Sequence, residues 1–251
     1  MHDLKLRGTK NTRDLGYTSL KTKIREKHLF RSGHLHKLSK KDKKILVNDY
    51  NVTTVIDLRV PDEMNKKPDK IMEGVNYVWL PVFTYNLYGI THEKNIPILD
   101  KMPDLNDLYR VMLNTEECKT NISKILDFIL NYDFKKGAIL FHCTEGKDRA
   151  GLISIFLLHL LGYDREDIKN DYVYTNVVNH KKSRRYYWLV RILGKKVSIK
   201  LANIFLAKEE YFNTVMSVLD NDYGGIDNYI SNELKISKES IKNFKEKLIT
   251  N

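Results

Sequence analysis

The chain alternates short apolar runs with longer segments in which apolar residues recur at every third or fourth position. Three of the short runs are rich in β-branched and aromatic residues, which is typical of buried strands. These runs are Val52–Leu58, Asn76–Val82 and Ala138–His142. Two further short strands are expected around Lys21–Ile24 and His28–Arg31.

The longer segments have the spacing of helices with one apolar face. Ser39 is the expected N-cap of a helix over residues 40–50. Further helices are predicted over residues 105–114, 121–132, 149–161, 164–178, 207–220 and 237–250. Because strands alternate with helices, residues 1–251 are expected to form a single α/β domain with a central, mostly parallel sheet flanked by helices.

Residues 179–206 have an unusual composition, in which lysine and arginine are interleaved with tyrosine, tryptophan, leucine and isoleucine. Tyr187, Leu189 and Leu193 can share one helix face, so the pattern predicts a basic amphipathic pair of helices joined at Gly194. A lid over a site, a plain packing element and a membrane-surface helix all fit this pattern.

The strand Ala138–His142 runs into a loop that begins at Cys143, contains Gly146 and ends at Arg149, where an apolar helix begins. Successive N–H groups in such a loop, with the unpaired N–H groups of the first helical turn, form a cradle for an anion. Their positive field favours a thiolate, which is the nucleophilic form of cysteine. An arginine adds a planar fork of donors for two phosphate oxygens. The spacing therefore predicts attack on a phosphate ester by a cysteine, and hence an enzyme.

Composition and charge indicate which partners and which cellular location are expected. The chain has 43 Lys and Arg against 32 Asp and Glu, and its net charge of +11 favours anionic partners. No nucleic-acid-binding module is recognisable, and no apolar run approaches the length of a membrane span. The first residues lack the apolar core of a signal peptide, so a cytoplasmic protein is expected as the chain stands, or a secreted one if a signal peptide was removed. Two cysteines do not make a disulfide framework.

The segment from His142 to Gly151 resembles the signature of the protein-tyrosine phosphatase superfamily. The order His-Cys-x-x-Gly-Lys-Asp-Arg-x-Gly is similar, more narrowly, to that of the atypical bacterial tyrosine and lipid phosphatases, which also act on phosphoserine, phosphothreonine and phosphoinositides. Other segments that resemble this branch are Asn11–Gly16, Leu29–Leu35, Val55–Glu63 and Tyr223–Ile230. The resemblance implies a phosphatase fold with a helical insertion over its active site, for which residues 179–206 are the candidate.

The resemblance also implies a role for each residue of the loop. Cys143 is the expected nucleophile, Arg149 the expected phosphate clamp, and His142 the support of the thiolate. The phosphate is expected to bind the loop as a whole, which consists of Thr144, Glu145, Gly146, Lys147, Asp148 and Arg149. Lys147 is typical of members that accept phosphoinositides, because a second cation can hold a ring phosphate.

The general acid is the least determined role. Asp148 is the first candidate, because this branch places an aspartate there, and Asp57, at the end of a strand beside the loop, is the second. Asp57 could instead orient Arg149 or cap a turn. Asp104 and Asp107 lie near the position of the acid in other phosphatases, but their surroundings favour a helix start.

Two departures from the family pattern bear on turnover. Ala150 replaces the hydroxyl residue that usually helps the thiolate to leave, and Glu145 puts a negative charge beside an anion site. A catalytically weak phosphate-binding or lipid-binding module is therefore an alternative to the enzyme, and an inositol-polyphosphate phosphatase is another. No metal and no cofactor are expected. The expected partners are phosphorylated proteins or phosphoinositides, without nucleic acid, and with transient contact to an anionic membrane.

Overall fold

The centre of the protein is a six-stranded sheet in the order β1-β2-β3-β6-β4-β5. The computed structural model describes residues 2–17, 24–84 and 104–250. The pairs β3–β6, β6–β4 and β4–β5 are parallel, whereas β1 and β2 add an antiparallel edge next to β3. The strands are β1 (His2–Asp3), β2 (Arg13–Asp14), β3 (Leu29–Ser32), β4 (Val52–Asp57), β5 (Asn76–Trp79) and β6 (Ala138–His142).

Helices cover both faces of this sheet. They are α1 (Lys40–Lys44), α2 (Pro61–Lys66), α3 (Leu105–Asn114), α4 (Glu116–Leu130), α5 (Arg149–Leu160), α6 (Arg165–Leu189), α7 (Lys195–Asn203), α8 (Glu209–Tyr223), α9 (Ile226–Asn228) and α10 (Lys238–Leu248). Segments of π-helix, Ile45–Asp49 and Tyr229–Glu233, extend α1 and α9. Within the described ranges, no helix has both the length and the apolarity that a bilayer span requires.

Strand β6 divides the core in two, because alternate residues of a strand point to opposite faces. Ile139 and Phe141 join the larger cluster, which α3, α4, α5 and α8 cover, while Leu140 joins the smaller one beside Leu46. The whole strand is buried. Helix α5 is apolar around almost its entire circumference and is buried accordingly. The predicted α/β fold with a mostly parallel, helix-flanked sheet is therefore confirmed.

Several element boundaries differ from those expected. Helix α4 begins at Glu116, five residues before the expected start at 121, because Thr115 lies in an extended conformation that separates it from α3. Asp104 caps α3, as its surroundings indicated. The predicted break near residue 178 is wrong, since α6 continues unbroken to Leu189. The strand expected around residues 21–24 lies outside the described residues except for Ile24, which forms a single bridge to Ile249.

A buried ion cluster ties α6 to the edge of the sheet. Asp171 accepts hydrogen bonds from Arg13 Nε at 2.8 Å and from Arg31 Nη1 at 2.6 Å, and all three side chains are almost fully buried. Burial alone would raise the pKa of the Asp171 carboxyl, but the charges and hydrogen bonds of the two arginines outweigh it and hold this pKa below its ordinary value.

Asp171→Asn is expected to lower the free energy of unfolding by about 3–5 kcal/mol at neutral pH, because it leaves two buried arginines without their counter-charge. The folded-state pKa of Asp171 is depressed, so its contribution is present above the unfolded value of about 4 and is lost as the pH falls through the lower folded value. Urea unfolding at neutral pH and below pH 4 measures both effects.

Asp227→Asn is the control, since that carboxylate is exposed and lies 2.8 Å from His159 Nε2. It should cost at most about 1 kcal/mol. Equal losses in the two variants would contradict the assignment of Asp171 as the anchor of this cluster.

Candidate active site

The loop from Cys143 to Asp148 joins β6 to α5 and closes tightly against β3. Gly146 has a φ of +63°, and a Cβ built there would lie 2.6 Å from the backbone of Ser32. Both the left-handed conformation and the close approach require glycine at this position. The loop thus lies at the carboxyl ends of the parallel strands, where ligands bind in α/β proteins.

The carbonyl groups of the loop are bound from outside. Asn11 Nδ2 donates to the carbonyl oxygens of Glu145 at 3.1 Å and Gly146 at 2.8 Å, and Arg31 Nη2 also donates to Gly146 O at 2.8 Å. The N–H of His34 donates to Thr144 O at 3.2 Å. In a planar trans peptide the N–H points opposite to the C=O, so the following N–H groups face the interior of the loop. These inward N–H groups make the loop an anion cradle.

Cys143 and Arg149 stand at the two ends of this cradle, and both are buried. Arg149 is the first residue of α5 and binds Glu63 through two hydrogen bonds, Nη1 to Oε2 at 2.5 Å and Nη2 to Oε1 at 2.8 Å. The Thr144 hydroxyl donates to the same carboxylate. The ring of Phe83 lies 5.4 Å from the guanidinium carbon. The guanidinium is therefore held in one orientation, with its remaining donors available to a phosphate.

Glu63 is ionised throughout the neutral range. Burial raises the pKa of its carboxyl, but the charge and hydrogen bonds of Arg149, with a bond from Thr144, lower it to about 2. The same pair raises the pKa of Arg149. Glu63 is itself fixed by α2, where it closes a capping bond to the N–H of Val60 at 3.1 Å.

Asp148 lies in a group of polar side chains from three helices. Its Oδ1 accepts a hydrogen bond from the Tyr109 hydroxyl at 2.9 Å and lies 2.7 Å from Lys147 Nζ. The Tyr109 and Tyr172 hydroxyls are 2.6 Å apart. Lys147 is fully buried, and its ammonium lies 5.7 Å from the centre of the Tyr211 ring. The Asp148 carboxylate is therefore held between a hydroxyl donor and an ammonium group.

Beneath the loop, His142 belongs to a second buried network. Its Nε2 lies 2.9 Å from Asp69 and 3.9 Å from Asp57, and its Nδ1 lies 3.4 Å from the carbonyl oxygen of Cys143. Burial lowers the pKa of this imidazole, but the two carboxylates prevail and raise it above its ordinary value. His142 is therefore fixed directly beneath the loop, between the two carboxylates and the backbone of Cys143.

Asp57 does not meet Arg149 in this structure. Its carboxylate is bound by Arg59, with Nε to Oδ1 at 2.9 Å and Nη2 to Oδ2 at 2.7 Å, and Arg59 also binds Asp69 at 2.9 Å. Asp57, Asp69 and His142 bring three ligand atoms within 4.8 Å of one another, a spacing that a metal could use. The Arg59 guanidinium already lies on both carboxylates, however, and supplies the positive charge that this cluster needs.

Glu145 and Ala150, the two residues that depart from the family pattern, differ in their surroundings. Glu145 turns away from the cradle and pairs with Lys182 of α6 at 2.5 Å. Ala150 is completely buried in the first turn of α5. The charge of Glu145 is therefore partly compensated, whereas the hydroxyl that Ala150 lacks has no substitute at the same position.

Several residues of this arrangement were not identified as functional from the sequence, among them Glu63, Asp69, Tyr109 and Asp171. Glu63 carried a signal, because it belongs to the segment Val55–Glu63 that resembles the family. Tyr109 and Asp171 lie in helices whose apolar pattern says nothing about a polar contact made across the fold. Asp69 lies in a stretch between α2 and β5 that has no pattern at all.

Two named relatives align with nearly the whole of this chain, and a third aligns with about half of it. A protein of Cupriavidus necator with the provisional name tyrosine-protein phosphatase is 26% identical over 96% of this chain and 87% of its own length. A tyrosine-protein phosphatase of Nostoc commune is 30% identical over 47% of this chain and 38% of its own length. Triple specificity protein phosphatase PtpB of Mycobacterium tuberculosis is 22% identical over 90% of this chain and 91% of that protein.

A search of solved structures matches P. aeruginosa TpbA in complex with phosphotyrosine, at 14% identity and a TM-score of 0.33 over 76% of this chain and 85% of that one. PTPMT1 in complex with PI(5)P is 15% identical, with a TM-score of 0.37 over 76% of this chain and 94% of that one. The tyrosine phosphatase family model matches residues 4–250. Because that match spans nearly the whole sequence, the chain belongs to the tyrosine phosphatase family.

Proposed function

We propose that this Cys-dependent phosphatase hydrolyses phosphomonoesters through a phosphate bound covalently to Cys143. The single observation that supports this most is the loop between Cys143 and Arg149, whose carbonyl groups are bound from outside by Asn11 and Arg31. We assign phosphotyrosine proteins and phosphoinositides as the substrate classes, with phosphoserine and phosphothreonine proteins as further substrates. The name of the relative PtpB, a triple specificity phosphatase, is consistent with a broad range.

In the first step the Cys143 thiolate attacks phosphorus, and the bond from phosphorus to the leaving oxygen breaks. Inward N–H groups and Arg149 hold the equatorial oxygens, whose charge changes during the transfer. Glu63 keeps the guanidinium in position at 2.5 and 2.8 Å and does not touch the phosphate. In the second step water attacks phosphorus and the cysteine leaves as a thiolate.

Asp148 is the proposed general acid and base. Lys147 and Tyr109 hold its carboxyl at the end of the loop, next to Arg149. In the first step the carboxyl gives its proton to the leaving oxygen. In the second step the resulting carboxylate takes a proton from the attacking water.

The test is phosphate release by wild type, Cys143→Ser and Asp148→Asn. Cys143→Ser should lower release by on the order of a thousandfold or more, because the nucleophile is lost. Asp148→Asn should lower hydrolysis of a phosphotyrosine peptide by about a hundredfold or more, and that of p-nitrophenyl phosphate far less, because its leaving group needs no proton.

Cys118→Ala is the control for Cys143, since Cys118 is the other cysteine and is buried in the core at α4. It should leave release within about twofold of wild type. Equal losses on both substrates in Asp148→Asn would assign Asp148 to structure rather than proton transfer. No release by wild type on peptide or phosphoinositide would contradict the catalytic proposal.

We also propose that residues 179–206 form a lid that contacts an anionic membrane. The end of α6, the turn Arg191–Leu193 and α7 form a helical hairpin, which Lys182 ties to the catalytic loop through Glu145. At its tip Trp188, Leu189 and Ile192 are 63%, 67% and 93% exposed. Arg184, Arg185, Arg191 and Lys195 are exposed as well and lie within seven positions of Trp188 in the sequence. Exposed apolar groups accompanied by cations favour the surface of an anionic bilayer.

Trp188→Glu/Ile192→Glu should abolish cosedimentation with vesicles that contain phosphatidylserine, because it places two carboxylates against an anionic surface. Vesicles of phosphatidylcholine alone should bind neither protein strongly. Ile71→Glu is the matched control, since Ile71 is 62% exposed but lies outside the hairpin. Vesicle binding that survives in the double variant, or is lost equally in Ile71→Glu, would contradict the proposed contact.

A further inference from the structure

A second cationic cleft lies beside the catalytic loop. It has a volume of about 280 Å³, and Thr144 and Glu145 of the loop form part of its wall. The remaining wall comes from the segment before β2, from the turn after β3 and from α6. The charged side chains around it are Arg7, Lys10, Lys37, Lys182 and Glu145.

The cleft carries an excess of positive charge. Glu145 is its one carboxylate, and Lys182 pairs with it at 2.5 Å. Arg7, Lys10 and Lys37 make no side-chain hydrogen bond or ion pair with any part of the chain that the structure describes. Three cations that share one concave surface without a counter-charge favour a multiply charged anion.

The backbone that carries these cations is fixed by buried groups. The N–H groups of Arg7 and Gly8 donate to the Asp42 carboxylate at 2.8 and 2.9 Å. The N–H of Gly33 donates to Lys10 O at 3.0 Å, and Thr9 Oγ1 lies 3.1 Å from the Ser32 hydroxyl. The walls of the cleft are therefore preorganised, which lowers the entropic cost of binding a ligand there.

His34 lines the cleft but does not add to its charge at neutral pH. Its ring packs against that of His36, with the centroids 3.9 Å apart and the ring planes tilted by 54°. Burial, with the neighbouring His36, lowers the pKa of His34 to about 4. Recognition of an anion in this cleft therefore depends on Arg7, Lys10, Lys37 and Lys182.

The cleft and the catalytic cradle lie next to each other, separated by the backbone of the loop at Thr144 and Glu145. Thr144 lines the cleft, while its hydroxyl reaches Glu63 and lies 3.5 Å from Arg149 Nη2. We infer that the cleft binds a second phosphate group of a substrate whose first phosphate lies in the cradle. The ligand class is a multiply phosphorylated inositol ring, either as a soluble inositol phosphate or as a phosphoinositide headgroup. The inference rests on the proposed function and names the preferred form of its substrate.

The experiment compares wild type with Lys10→Ala/Lys37→Ala on three substrates: p-nitrophenyl phosphate, a soluble inositol polyphosphate and a bisphosphorylated phosphoinositide in micelles. The double variant should raise KM for both inositol substrates by about tenfold or more, the effect of one lost charge-assisted hydrogen bond. Its kcat should change by less than about twofold, and hydrolysis of p-nitrophenyl phosphate should stay unchanged, which also shows that the variant is folded.

Lys135→Ala/Lys136→Ala is the charge-matched control. Both lysines are exposed and lie directly before β6, at the opposite end of that strand from Cys143. Loss of the same charge there should leave all three substrates unaffected. A KM effect confined to the micelles would assign the cleft to the lipid surface instead and would overturn the inference, as would an equal effect of the two double variants.

A binding measurement on an inactive variant tests this inference separately from the proposed catalytic function. Cys143→Ser keeps the cradle and the cleft but cannot turn over, so calorimetric titration with inositol hexakisphosphate measures binding directly. Lys10→Ala/Lys37→Ala in that background should weaken binding by about tenfold or more. Unchanged binding would overturn the inference even if wild type is an active phosphatase. Weakened binding would uphold the anion cleft even if wild type hydrolyses no inositol substrate.

Discussion

The loop between Cys143 and Arg149 can bind an anion only if its carbonyl groups point outward, away from the cradle. A buried loop of this kind has a donor and an acceptor in every peptide, and an anion can be held only if the acceptors are turned away. Asn11 and Arg31 achieve this by donating to the carbonyls of Glu145 and Gly146. Arg31 is held in turn by Asp171 at 2.6 Å. The shape of the loop therefore depends, through Arg31, on the buried ion cluster that Asp171 of α6 forms.

A second set of charged and polar side chains contacts the two residues at the end of the loop, Asp148 and Arg149. Glu63 fixes Arg149, and Lys147 with Tyr109 surrounds Asp148. Each ionised group therefore has a partner before any substrate arrives, which avoids the cost of an unpaired buried charge. Such pairs also keep the side chains in the geometry of the reaction, so that little reorganisation is needed when the phosphate binds.

Much of the fold could be predicted from the sequence, because it follows from local pattern. Strands β4 and β6 and helix α3 have the predicted positions, since their β-branched runs and apolar spacing are strong. The start of α4 at Glu116 and the unbroken α6 could not be predicted, because polar residues leave the helical pattern weak there. Membership of the phosphatase family, which the loop sequence indicated, is confirmed by the match over residues 4–250.

The partners of the site residues were harder to predict than their positions. Asp57 could be placed beside the loop, but its pairing with Arg59 rather than Arg149 follows from how the chain turns after β4. Tyr109 reaches Asp148 across 39 positions of sequence, and Asp171 reaches Arg31 across 140. Contacts of this range depend on the whole fold, and no local rule of spacing contains them.

In the proposed reaction the loop presents Cys143 to phosphorus while Arg149 and the inward N–H groups hold the phosphate. Rapid acid quench during turnover of a phosphotyrosine peptide, followed by mass spectrometry of the peptide that contains Cys143, tests this reaction. We expect phosphate on the Cys143 sulfur, and substantial accumulation of it, because Ala150 offers no hydroxyl to help the thiolate leave. Turnover without a phosphorylated Cys143, or with the phosphate on another residue, would contradict it.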